Sequence, residues 1–214
     1  MLFRSKFHAR VQLLQNLVSN WLLTLTVGNL NIGLTQRILY HKGRAYDSIE
    51  HGWYPYLDGH TLSFIRNDIT QNFEEIANNL DLLIITGGDD PMLRRVVETR
   101  LATKMLSRNK PILGICHGAF LLTDLLGGQV TDTITHQNTS HSVWYFGEEK
   151  IVNSYHSLCI NEPPSRATIL AVDNEGYCES WIDDKIAAVV WHPERMEVPW
   201  LPDEIEHLLT QRKK

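Results

Sequence analysis

Three short segments carry residues whose types and spacing suit one kind of chemistry. The first is GICHG, residues 114–118, in which Cys116 stands between two glycines. A thiolate is a strong nucleophile, provided the chain holds it clear of its own backbone. The apolar run 111–115 reads as a buried strand, and Ala119, Leu122, Leu125 and Leu126 recur at helical spacing up to the stop signal Gly127-Gly128. Cys116 therefore falls on a strand-to-helix turn. Such a turn drives its side chain outward and crowds the backbone two positions away on each side, where Gly114 and Gly118 relieve the crowding. The helix N-terminus adds unpaired N–H groups and positive partial charge, which favour a thiolate and an oxyanion.

The second segment is IAAVVWHPE, an apolar strand over 186–191 followed by His192, Pro193 and Glu194. In an extended chain, positions i and i+2 point the same way, roughly 6–7 Å apart, and proline keeps φ near that range. His192 and Glu194 are then expected to pair, the carboxylate orienting the imidazole as a base for a thiol. The third segment, LLIITGGDDP, ends a strand in Gly87-Gly88. Two glycines there let backbone approach a ligand, at the sheet edge where open α/β folds bind theirs. A Gly88 N–H beside the His117 N–H makes a two-donor oxyanion hole. Each segment alone has an ordinary structural explanation; the three together point to acyl transfer through a cysteine.

The elements that must position them alternate. Strands are expected over 32–36, 62–65 and 81–86, and a helix follows Asp90 as cap, with Pro91 at its first position and Met92, Val96, Val97, Leu101 and Met105 on its apolar face. Beyond residue 130 short strand-like pieces cover 142–146, 151–160, 168–172 and 177–182. The reading is a single α/β domain over 31–214, a three-layer sandwich on a mostly parallel sheet with antiparallel, loop-rich additions in its second half.

Composition agrees. The 214 residues are 43% hydrophobic and 21% charged, enough for one full core. A net charge of −5 argues against non-specific nucleic-acid binding. Three cysteines, Cys116, Cys159 and Cys178, do not make a disulfide framework or a metal signature, and a reducing cytoplasm fits them best. A zinc site from His136, His141 and His156 is the least favoured arrangement, because the spacing matches no strong signature. Residues 1–30 read as an N-terminal extension. Its apolar stretch is interrupted by Asn16, Ser19, Asn20, Thr24 and Thr26, and no run approaches the ~20 residues of a membrane span.

With Gly87-Gly88, the elbow at 114–118, NSYHSL at 153–158 and H-P-E at 192–194 in this order, the chain resembles the class I glutamine amidotransferase-like superfamily. More narrowly it is similar to the peptidase C26 branch of γ-glutamyl hydrolases. The resemblance spans residues 32–195. It implies a flavodoxin-like fold, Cys116, His192 and Glu194 as a triad, Gly88 and His117 as oxyanion donors, and Ser154, Tyr155 and His156 as contacts to the glutamyl α-amino and α-carboxylate groups. It implies no cofactor and no metal.

A weaker likeness, carried by GLTQR and AYDSIEHGW within 33–53, is to hydrolases of γ-glutamyl-CDP-amidate in surface-glycan pathways. The plainer alternative is that Gln36-Arg37 ends the first strand and YDSIEHGW begins a solvated helix. One departure matters: glutamine-using members carry Gln four residues after the cysteine, and this chain has Phe120. The leading expectation is a cysteine hydrolase of a small-molecule γ-glutamyl amide, with Arg37 meeting a phosphate on the leaving group. The alternatives are a glutaminase component feeding ammonia to a synthase partner, and a relative that keeps the fold without the chemistry. Nothing in the sequence sets the oligomeric state.

Overall fold

Buried parallel strands show themselves as unbroken apolar runs, because both faces are covered. In the computed structural model such runs form the centre of the sheet. The structure describes residues 29–133 and 138–210. Residues 30–209 make one compact unit. The expected N-terminal extension lies, through residue 28, outside the described residues, whereas Leu30 is packed in the core.

The strands are β1 (Asn31–Thr35), β2 (Arg37–His41), β3 (Arg44–Ser48), β4 (Thr61–Ile65), β5 (Leu82–Ile85), β6 (Ile112–Ile115), β7 (Gln129–Asp132), β8 (Thr139–Tyr145), β9 (Glu148–Ser154), β10 (Leu158–Glu162), β11 (Thr168–Asp173), β12 (Cys178–Asp183) and β13 (Ile186–Val189). The helices are α1 (Trp53–Tyr56), α2 (Phe73–Asn79), α3 (Met92–Ser107), α4 (His117–Leu125) and α5 (Asp203–Thr210). Among the described residues, eleven strands form one mixed sheet in the order β4-β1-β5-β6-β13-β12-β11-β8-β9, with β10 joining β12 to β7. The five strands β4, β1, β5, β6 and β13 pair in parallel, in the flavodoxin-like order 2-1-3-4-5. From β13 onward every pairing is antiparallel. The fold is the α/β sandwich expected, parallel in its first half and antiparallel in its second.

This order decides where chemistry can happen. The carboxyl ends of β1, β5, β6 and β13 all open on one edge, and the strand order reverses between β1 and β5. Arg37, Gly87-Gly88, Cys116 and His192 follow those four ends in turn. Segments as far apart as residues 37 and 192 converge there.

Four expectations are corrected. Residues 46–48 are strand, not the start of a helix: β2 and β3 form a hairpin whose two-residue turn, Lys42-Gly43, has φ of 49° and 73°. That is the left-handed pair a tight hairpin requires. The helix comes later, at α1, and is not solvated at its start, for Trp53 is only 1% exposed. Pro91 is the N-cap of α3 rather than its first helical residue, and Asp90 instead accepts from Arg95 at 2.6 Å. On α3 the buried stripe runs through Arg94, Val97, Glu98, Leu101 and Met105, while Met92 is 83% exposed and Val96 lies at the surface. Finally, the single strand expected over 151–160 is two, β9 and β10, broken at 155–157 where His156 turns inward.

Candidate active site

The turn after β6 is tight enough to explain both glycines. A Cβ on Gly114 would stand 2.4 Å from the Gly118 carbonyl oxygen, and one on Gly118 would stand 2.1 Å from that of Ile85. Cys116 itself caps α4 at φ 50°, ψ −105°, a strained conformation for a residue with a side chain. Its N–H donates to the Val189 carbonyl at 2.9 Å, which ties the turn to β13. The thiol is largely covered, the residue being 7% exposed, yet it lines a cavity of about 530 Å³. Gly118→Ala is expected to destabilise the protein by about 2–4 kcal/mol, because Ile85 offers a fixed backbone atom to the new methyl. Urea denaturation measures it; equal midpoints for Gly118→Ala and wild type would show that α4 can move away from β5.

His192 reaches Cys116 because β13 lies beside β6 in parallel register, Val189 opposite Ile115. The strand ends at Val189, and a 3-10 turn over Pro193–Arg195 follows. His192 and Glu194 therefore meet across a tight turn rather than along an extended segment, a correction to the expected geometry. His192 Nδ1–H donates to Glu194 Oε1 at 2.7 Å, and both side chains are almost wholly buried. Burial opposes an imidazolium, but hydrogen bonds to Cys116 and Glu194, with their negative charges, outweigh it and raise the His192 pKa to about 9. Asn153 on β9 clamps the backbone of His192 from both sides. It accepts from the His192 N–H and donates to the His192 carbonyl, each at 2.8 Å.

Gly87 and Gly88 leave no room for side chains. A Cβ on Gly87 would lie 2.3 Å from His192 Cε1, and one on Gly88, whose φ is 122°, would lie 2.3 Å from Arg37 Cδ. Gly88 and His117 line the same cavity as Cys116. So do Tyr155, His156, Phe120 and Arg37. Ser154 does not; it is buried behind them, its hydroxyl 3.0 Å from His156 Nε2. The other His156 nitrogen, Nδ1, donates to the Leu158 carbonyl at 2.6 Å. Phe120, one turn beyond the cysteine, packs its ring 5.8 Å from that of His156 and gives the cavity an apolar wall.

Arg37 opens β2 instead of closing β1. Its guanidinium donates to Glu50 Oε2 at 2.9 Å, and Arg195 donates to both oxygens of the same carboxylate at 2.7 Å each. Burial works against the charge on Glu50, yet Arg195 and Arg37 hold its carboxyl below the usual range. Two guanidinium groups thus share one carboxylate at this rim, and Arg195 Nε stands 3.9 Å from Glu194 Oε1. Arg195 also lies 4.7 Å above the Tyr155 ring, which meets His192 edge-on.

Residues 45–209 match the model of the family described as glutamine amidotransferase class-I. The chain belongs to that family. Among curated relatives of this class I amidotransferase chain, the glutamine amidotransferase-like protein YvdE of Lactococcus lactis is 29% identical over 178 residues, covering 64% of this chain and 75% of the relative. The γ-glutamyl-CDP-amidate hydrolase of Campylobacter jejuni is 22% identical over 190 residues, covering 77% and 90%. In fold, the chain is similar to a glutamine amidotransferase of Thermotoga maritima, with TM-score 0.61 and 17% identity over 78% of this chain and 76% of the other.

Sequence reasoning missed Asn153, Glu50, Arg195 and the buried pair Arg94–Glu98. Only the last left a signal: charged residues at i and i+4 in phase with the buried Leu101 and Met105. His136, one arm of the least favoured zinc arrangement, lies outside the described residues, and among those described no His, Cys, Asp and Glu cluster is arranged to hold a metal. No helix of the described residues is long and apolar enough to cross a membrane.

Proposed function

We propose that the protein is a cysteine hydrolase of γ-glutamyl amides, with Cys116, His192 and Glu194 as its triad. The observation that carries the reading is the strained, glycine-flanked Cys116 lining one cavity with His192, whose imidazole Glu194 orients. The Cys116 thiolate attacks the γ-carbonyl carbon, and the oxyanion so formed accepts from the N–H groups of Gly88 and His117. The C–N bond breaks as the His192 imidazolium gives its proton to the leaving nitrogen. Water, deprotonated by His192, then adds to the thioester; the C–S bond breaks, glutamate leaves and the thiolate is restored. Tyr155 and His156, held by Ser154, bind the glutamyl end. Three free cysteines, all buried, suit a reducing cytoplasm.

The leaving group is larger than ammonia. Phe120 supplies apolar surface where a small amide would need a hydrogen bond, and the guanidinium fork of Arg37 on the cavity wall suits a phosphate. The likeness to a γ-glutamyl-CDP-amidate hydrolase supports a nucleotide amidate as one such conjugate. The isolated protein is expected to cleave bulky γ-glutamyl conjugates with far higher kcat/KM than glutamine. Arg37→Ala is expected to raise KM about tenfold or more for phosphate-bearing conjugates and to leave others nearly unchanged. Glutamate release from a panel of γ-glutamyl amides decides this. Should glutamine be the best substrate, and only with a synthase added, the chain is the glutaminase component of an amidotransferase.

A further inference from the structure

Behind the cavity lies an ion pair to which the chemistry above gives no part. Arg94 and Glu98, one turn apart on α3, have fully buried side chains and meet at 2.8 Å. Burial disfavours the Glu98 charge, but Arg94 and then His117 outweigh it and hold the carboxyl below its usual range. A buried ion pair is a weak source of stability, since apolar residues of similar volume do as well or better. Its contacts suggest a different task. The Arg94 guanidinium donates to the carbonyls of Thr86 (2.6 Å), Gly87 (3.2 Å) and Asp89 (3.0 Å) and to the Thr86 hydroxyl (3.2 Å). These bonds pin the loop that presents Gly88. Glu98 Oε2 accepts from His117 Nε2 at 2.7 Å, which pins the first residue of α4.

One ion pair thus grips both segments that supply the oxyanion donors, the loop after β5 through Arg94 and the start of α4 through Glu98. The fit is close: a Cβ on Gly88 would lie 2.9 Å from Arg94 Nη1. Donors to an oxyanion act only when held at the right separation before the charge develops. We propose that Arg94 and Glu98 are positioning residues that set the spacing of the Gly88 and His117 N–H groups. Neither side chain lines the cavity. The inference rests on the hydrolase reading and adds to it the device that builds its oxyanion hole.

The test compares Glu98→Gln, which keeps the shape and removes the charge, with Arg94→Lys, which keeps the charge and removes the fork. Glu98→Gln carries the test alone if Arg94→Lys does not fold. Turnover is measured on γ-glutamyl-p-nitroanilide. Inhibition is measured with the γ-aldehyde of glutamate, whose adduct with the thiolate carries an oxyanion, and Cys116 reactivity with iodoacetamide, whose displacement at carbon forms none. In both variants kcat is expected to fall about tenfold to a hundredfold and aldehyde affinity to weaken in step, while KM and the alkylation rate stay within about twofold. Wild-type kcat and aldehyde affinity in the variants would overturn the proposal. A matching loss of alkylation would overturn it too, for the pair would then serve the thiolate rather than the donors. Wild-type turnover that survives Cys116→Ala is a separate result, which removes the hydrolase reading itself.

Discussion

Cys116→Ala is expected to abolish γ-glutamyl cleavage, by a factor on the order of 10⁴ or more, while the protein stays folded and still binds substrate. The thiol sits on an elbow whose position is fixed by other atoms. The glycines on either side make room for it, and the Cys116 N–H is held by Val189. Alanine fills the same turn with the same backbone and lacks only the sulfur. A change in melting temperature of no more than a few degrees is expected, since little packing is lost at a residue that faces a cavity. Mass spectrometry of acid-quenched wild-type enzyme should detect a glutamyl thioester on the peptide bearing Cys116. Turnover by Cys116→Ala above a trace would dismiss this residue as nucleophile.

The second large effect belongs to His192. Its alanine variant loses the proton donor and the partner of the thiolate together, and kcat is expected to drop about 10³-fold or more. Glu194→Gln should cost less, because it weakens the orientation of the ring without removing it. Acidity separates the two roles. In the proposed mechanism the His192 imidazolium protonates the leaving nitrogen; its pKa is raised to about 9, so activity should hold through neutrality and fall as pH rises through about 9. Glu194→Gln removes one of the two groups that raise that value, and the alkaline limb should move to lower pH. A limb unmoved by Glu194→Gln would mean that the carboxylate does not govern the imidazole.

What could be read in the sequence was what local physics decides. The parallel strands announced themselves because a strand buried on both faces has to be apolar along its length, as LLII of β5 and ILGI of β6 are. The elbow was legible because crowding at a sharp turn admits glycine and little else. The hairpin of β2 and β3 was missed because it is exposed on nearly every residue, so no alternation marks it and only Lys42-Gly43 hints at a turn. Arg94 and Glu98 fall in phase with the buried Leu101 and Met105, but the sequence does not say what they meet. Their burial depends on carbonyls of the 86–89 loop, which only the folded chain brings against α3. Asn153 opens the NSYHSL segment, but its clamp on His192 could not be read there, since it acts on a backbone 39 residues further along.

The place of β13 in the sheet also shapes how the protein comes into being. It is the last strand among the described residues, yet it lies between β6 and the antiparallel half, and its neighbour β6 was made long before it. While a ribosome is still adding the middle of the chain, β6 has β5 on one side and an unsatisfied apolar edge on the other. Such an edge is a template for pairing with another molecule. It closes only when Ile186–Val189 emerges, and that same event delivers His192 to Cys116. On the proposed reading, chain closure and the arming of the thiol are then one step, and a nascent chain that lacks Ile186–Val189 is expected to lack the nucleophile pair. By the same logic, a product truncated before residue 186 is bound for aggregation rather than for partial activity.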